Sequence, residues 1–179
     1  GNERYKVFNS IMGIVKYKHI PNFLTKDELK VLGYYVEFKH RLNYTDFDDR
    51  QSTIMDTSYY SDPLMESYLL AKKDKIEKEV GEKLHATYSF WRMYTKGADL
   101  KKHKDRPSCE ISVSINLRDS GEDWALYFDG TPVVTNVGDA VIYKGMDVEH
   151  WREPFKGDHQ AQVFLHYVRV DGKYAHFSG

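Results

Sequence analysis

Residues 103–105, His-Lys-Asp, set an imidazole and a carboxylate two positions apart, just before the alternating run "CEISVSINL" (109–117). On extended chain, residues i and i+2 share a side, so His103 and Asp105 would offer one nitrogen and one oxygen ligand in the same direction. A third candidate, His150, lies in "GDAVIYKGMDVEHWREPF", on a strand segment that follows the Gly138-Asp139 turn. Two imidazoles and one carboxylate leave coordination positions open on a bound metal, and on Fe(II) such a triad admits a cosubstrate and oxygen. A metal closed by four protein ligands would be structural and inert. His19, His40, His85 and His176 have no partner at ligand spacing and read as surface or packing residues, and His166 reads as structural.

These side chains need a scaffold, and the chain changes character midway. "IMGIVKYKHI" (11–20) is β-branched and reads as a strand. "LTKDELKVLGYYVEF" opens with Thr25 and Glu28 in capping-box spacing and continues with Leu29, Leu32, Tyr35 and Val36 on one helical face. Residues 41–61 are polar, aromatic and aperiodic, which predicts a long loop whose Tyr44, Phe47, Tyr59 and Tyr60 could cover a site mouth. Asp62 and Pro63 start a second helix, with its stripe running through Leu64, Tyr68, Leu69, Lys72, Ile76, Val80 and Leu84. From Ala86 the period becomes two, with strand segments at 86–94, 109–117, 124–128, 131–135, 139–145, 148–154 and 160–170 divided by turn residues. Helices followed by many short strands predict a mainly β protein with supporting helices (α+β). The expected architecture is a double-stranded β-helix, or jelly roll, with the N-terminal helices packed on its major sheet.

The 179 residues read as a single domain, with residues 1–85 a mostly helical support and 86–170 the core that carries the metal site. Lys and Arg number 26 against 27 Asp and Glu, a net charge of −1, so there is no basic footprint for nucleic acid. Cys109 is the only cysteine, which excludes an internal disulfide or a thiolate zinc site. No apolar run approaches the roughly 20 residues of a membrane helix, and the start "GNERYKVF" lacks a leader's apolar stretch. The expectation is a cytoplasmic protein without a membrane partner.

The series "RMYTKGADLKKHKD", "ISVSINL", "NVGDAVIY" and "HWREPFKGDHQAQVFLHYV" resembles the iron(II)- and 2-oxoglutarate-dependent oxygenases, in the prolyl 4-hydroxylase-like branch, over residues 86–170. The resemblance implies His103, Asp105 and His150 as iron ligands and Tyr94 in the 2-oxoglutarate pocket. It also implies a polar pocket role for Asn116, which shares with Ser112 and Ser114 a strand face conspicuously polar for an interior; the bland alternative is that this face is solvent-exposed. The implied activity is hydroxylation of an unactivated C–H bond, using O2 and releasing succinate and CO2. Its substrate would be a prolyl residue, a free amino acid or another small molecule.

Two positions depart from the family pattern. The cation that binds the distal carboxylate of 2-oxoglutarate usually follows the second histidine by about nine to eleven residues, where this chain has His159, Gln160 and Ala161. Arg152, two residues beyond His150, would share its strand face and could take that task bidentately, with His159 as helper. His159 is expected inside because Ala161, Val163 and Leu165 form an apolar set of the same parity. Leu100 replaces a tyrosine that many members carry, and Trp151 would pack against a helix. A non-catalytic or cupin-like β-sandwich that binds a metal and small ligand without 2-oxoglutarate stands as the alternative.

Overall fold

The computed structural model describes residues 16–45 and 57–177, with the side chains of 43–45 left aside. Among the described residues, ten strands form two antiparallel sheets. The strands are β1 (Tyr17–Ile20), β2 (Thr57–Tyr60), β3 (Leu84–Thr95), β4 (Leu100–His103), β5 (Ile111–Asp119), β6 (Leu126–Phe128), β7 (Thr131–Val133), β8 (Ala140–Tyr143), β9 (His150–Arg152) and β10 (His159–Arg169). The major sheet has the order β1-β8-β5-β10-β3-β2 and the minor sheet β4-β9-β6-β7, which is the jelly-roll arrangement expected of this pattern.

Three helices back the major sheet: α1 (Lys26–Thr45), α2 (Pro63–Ala71) and α3 (Lys73–Val80). The capping box of α1 is reciprocal, with Glu28 N–H donating to Thr25 Oγ1 at 3.1 Å and Thr25 N–H donating to Glu28 Oε1 at 3.0 Å. At the start of α2, Asp62 accepts from Leu64 N–H at 3.0 Å. Its buried carboxylate also takes the hydroxyl of Tyr35 and the indole N–H of Trp91, binding α1, α2 and β3 through one side chain.

The single second helix expected over 62–84 is broken. Apolar positions Met65 and Leu69 are buried, but the stripe next meets Lys72 and Lys73, and the chain kinks there before Ile76 and Val80 resume burial in α3. Gly81 then ends α3 in the left-handed conformation (φ 78°), so Leu84 belongs to β3. The expected 41–61 loop is also corrected. Residues up to Thr45 continue α1, and Thr57–Tyr60 pair with β3, from Thr57 opposite Met93 to Tyr60 opposite Phe90. Phe47 and the rest of 46–56, like residues 11–15 of the first expected strand, lie outside the described residues. Strand β4, "LKKH", was not expected at all; it is too short and too charged to show alternation.

Period-two alternation decides what each sheet face meets. Odd-numbered Ile111, Val113, Ile115, Val163, Leu165, Trp91 and Met93 join Leu32, Val36, Met65, Leu69 and Ile76 in one core between helices and major sheet. The even-numbered residues of the same strands turn toward the minor sheet. Ser112, Ser114 and Asn116 are therefore buried, at 0%, 3% and 1% exposure, and the solvent-exposed reading of that face is wrong.

Candidate metal centre and its cavity

His103 and His150 are 47 positions apart in sequence but directly opposite each other in the β4–β9 pair, with ring centroids 4.3 Å apart. Each ring is fixed in the same way. His103 Nδ1–H donates to the Lys101 carbonyl at 2.7 Å and His150 Nδ1–H to the Val148 carbonyl at 2.9 Å. A carbonyl can only accept, so Nδ1 carries the proton and the neutral ring turns its Nε2 lone pair inward. Both Nε2 atoms lie 3.2 Å from the same oxygen, Asp105 Oδ1.

Three lone-pair donors thus converge, all within 4.8 Å of one another. Such a cluster requires a cation, either a proton or a metal, between its members. Burial alone would raise the Asp105 carboxyl, but with a proton as that cation the hydrogen bonds shared with His103 and His150 outweigh burial and hold the group well below the usual carboxylate range. The Asp105 carboxylate in turn raises His103 above the ordinary imidazole value. Two nitrogens and one oxygen, side by side on a cavity wall, suit a divalent transition metal with open positions.

Gly145 completes this corner, and nothing in the sequence reading singled it out. Its carbonyl accepts from Asp105 N–H at 2.7 Å, and a Cβ built on it would come within 2.5 Å of both Asp105 Oδ2 and the Cys109 carbonyl. Gly145→Ala is therefore expected to push Asp105 off its ligand position. Metal affinity should fall by roughly 10-fold or more, as read by competition with a chromophoric chelator. Retention of wild-type affinity would show that the Asp105 segment yields freely.

The triad opens into a cavity of about 360 Å³ lined at its inner end by Tyr94, Leu100, Leu126 and Tyr143. Tyr94 is buried, edge-on to Trp124 at 4.9 Å. Arg152 shares the face of His150 and sits opposite Leu100, but it lies behind Tyr94 and does not itself line the cavity. Its guanidinium covers the Trp124 ring at 4.6 Å, one nitrogen donates to the Trp124 carbonyl at 2.9 Å, and Nε has no partner among the described residues. Burial lowers its pKa, partly offset by Tyr94 and Tyr143. Among the described residues it is the only fully buried Lys or Arg, and no carboxylate pairs with it.

Three sequence-based placements need correction. His159 is not in this cavity; it is partly exposed beside Asp158 and lines a separate surface depression with Glu37 and His40. The apolar parity of 161–165 faces the helices, so the even set of Gln160, Gln162, Phe164 and His166 faces the minor sheet. Asn116 has the inward parity but lies past the cavity, bonded through Nδ2 to Asp119 and the Thr135 carbonyl, because each two-residue step moves a strand position about 6.6 Å. Trp151 stacks on none of the described helices. It stacks on Tyr127 at 5.3 Å on the outer side of the minor sheet, under Lys102.

His166, which reads as structural from the sequence, also lines the cavity. Ser112 Oγ donates to the Cys109 carbonyl and so accepts from His166 Nδ1 at 2.8 Å. Burial pushes the His166 pKa down from 6.5 to about 4, although Asp105 opposes the shift. The folded chain therefore binds this proton more weakly than the unfolded chain. Stability should fall as pH drops from about 6.5 through about 4, by roughly 3 kcal/mol when complete. Urea unfolding of the metal-free protein at pH 7.5 and 5 should show a loss that is smaller in His166→Gln; equal losses would place the sensitivity elsewhere.

No protein-family model matches this chain, and no curated protein matches it in sequence. Solved structures match its fold. A prolyl-4-hydroxylase from Pseudomonas putida superposes with a TM-score of 0.66 at 18% identity, covering 93% of this chain and 98% of that one. A viral collagen prolyl hydroxylase from Paramecium Bursaria Chlorella virus-1, in complex with 2-oxoglutarate, gives 0.63 at 12%, over 86% and 96%. HygX from Streptomyces hygroscopicus, with nickel, 2-oxoglutarate and hygromycin B bound, gives 0.68 at 13%, over 96% and 88%. The chain has the prolyl-hydroxylase-like fold of the iron- and 2-oxoglutarate-dependent oxygenases.

Proposed function

We propose that this protein is an Fe(II)- and 2-oxoglutarate-dependent dioxygenase that hydroxylates an unactivated C–H bond. The observation that carries the reading is the convergence of His103, Asp105 and His150, with both imidazoles locked as Nε2 donors on a cavity wall. These three residues would hold the iron. The bound metal and keto acid would supply O2 activation coupled to release of succinate and CO2.

The chain's own residues orient and shield. The Lys101 and Val148 carbonyls keep each imidazole in its ligating tautomer, and Gly145 keeps the Asp105 carboxylate in reach. Arg152, whose guanidinium lies 5.8 Å from the centre of the Tyr94 ring at the inner end of the cavity, would offer its uncompensated charge to the distal carboxylate of 2-oxoglutarate. Leu100, Leu126 and Phe164 keep the wall apolar, which excludes bulk water and limits unproductive oxidation. No acid–base pair is needed. The substrate would be a prolyl residue, a free amino acid or another small molecule. The cavity, at about 360 Å³, lies at the small end of the range for small-molecule sites.

Anaerobic titration of metal-stripped protein with Fe(II) and then 2-oxoglutarate tests this directly. A weak visible charge-transfer band on adding the keto acid is the expected result. Tight iron binding with no such band would overturn the oxygenase reading in favour of a cupin-like metal protein that does not use 2-oxoglutarate.

A further inference from the structure

The cavity runs from a buried end to an exposed one. Tyr94, Tyr143 and His150 at the inner end are at most 2% exposed, whereas Tyr60, Lys104 and Arg106 at the mouth are exposed. The mouth combines two kinds of surface. One is an aromatic wall: Tyr60 lies 4.6 Å from Phe90 and 6.1 Å from Tyr88, and Phe90 lies 6.0 Å from Phe164. The other is positive charge from Lys104 and Arg106, which flank Asp105 in sequence.

Arg106 is held against the wall. Its guanidinium sits 5.5 Å from the centre of the Tyr88 ring and donates to the Tyr88 hydroxyl at 3.3 Å. Neither Lys104 nor Arg106 pairs with a carboxylate among the described residues, and Asp105, a member of the triad, is the only carboxylate that lines the cavity. The chain as a whole carries a net charge of −1, so these cations are not part of a generally basic chain. Arg152 lies behind Tyr94 at the other end, so the cation proposed for the cosubstrate and those of the mouth are separate.

We infer that the mouth selects a small carboxylate with a planar aromatic or apolar body, its anion met by Arg106 and its ring laid along Tyr88, Tyr60 and Phe90. The inference rests on the oxygenase reading for the chemistry that follows binding, but not for binding itself. A guanidinium fixed beside a ring matches such a ligand on both counts: charge-assisted hydrogen bonds for the carboxylate and stacking for the body. A neutral prolyl peptide would leave the charge of Arg106 unused. Specificity would then reside in Arg106 and Tyr88, neither of which touches the metal set.

The test uses Zn(II)-loaded protein with 2-oxoglutarate, which binds without turnover. Saturation-transfer NMR would compare 3-phenylpropionate, 4-hydroxyphenylacetate and indole-3-acetate with their carboxamides. At least one acid is expected to bind about 10-fold or more tighter than its amide. Arg106→Gln should erase that difference and Arg106→Lys should retain part of it, with Zn(II) and 2-oxoglutarate affinities unchanged in both. Equal binding of acid and amide, an acid preference that survives Arg106→Gln, or no binding of any probe would overturn the inference. Loss of 2-oxoglutarate binding in the wild-type protein would instead sink the oxygenase reading, and the acid-to-amide ratio would still decide the anion preference.

Discussion

His103→Ala is expected to lower Fe(II) or Mn(II) affinity by at least about 100-fold and to abolish succinate formation from 2-oxoglutarate, while leaving the fold intact. The side chain is partly exposed, and its contacts are the Lys101 carbonyl, Asp105 and the facing His150 ring, so little packing is lost with it. Removing it leaves two donors, Asp105 Oδ1 and His150 Nε2, which cannot cap one face of a metal. His150→Ala should weaken binding as severely but cost more stability, because that ring is 2% exposed and packs on Tyr143 at 5.0 Å. Chelator competition and urea denaturation, run on both variants, separate the two effects. Wild-type metal affinity in His103→Ala would mean that the converging lone pairs are not the metal site.

Arg152→Met should do two opposite things. Binding of 2-oxoglutarate should weaken by roughly 100-fold at unchanged metal affinity, because the one buried cation without a carboxylate partner among the described residues is gone. The ligand-free protein should be no less stable, and up to about 2 kcal/mol more stable, because a thioether avoids the desolvation of an unpaired guanidinium. The lost hydrogen bond to the Trp124 carbonyl partly offsets this gain. Isothermal titration with the keto acid and urea midpoints measure the two effects separately. Arg152→Lys should keep part of the affinity, and His159→Ala should keep all of it, since His159 lies outside the cavity. Full affinity in Arg152→Met would move the anchor to Arg92, which lines the cavity with its guanidinium 4.2 Å from the Tyr94 ring.

Local rules were legible where one or two turns of chain decide the outcome. Thr25 and Glu28, and Asp62 with Pro63, start helices because caps satisfy backbone donors within four residues. The break at Lys72 and the stop at Gly81 are not legible in the periodicity, because the stripe runs on through Lys72 in sequence, whereas burial against the sheet rejects that residue. Strand β4 carries His103 yet shows no alternation, because a short minor-sheet strand with two exposed lysines buries too little to leave a pattern.

By itself the sequence determined the candidate ligand types, their order and the period-two strands around them. His-x-Asp places both groups on one side, and alternation places every second residue on one face, whatever the rest of the chain does. The tertiary structure alone decided which face is which. Ala161, Val163 and Leu165 form the more apolar parity and from sequence alone point into the site, but helices α1 to α3 offer the larger apolar surface and take that face. The polar parity is left for the cavity, which moves His159 out and His166 in. The meeting of His103 with His150, and the close approach of Gly145 to Asp105, depend on strand register and backbone packing between segments about 40 residues apart or more, distances over which no local pattern carries information.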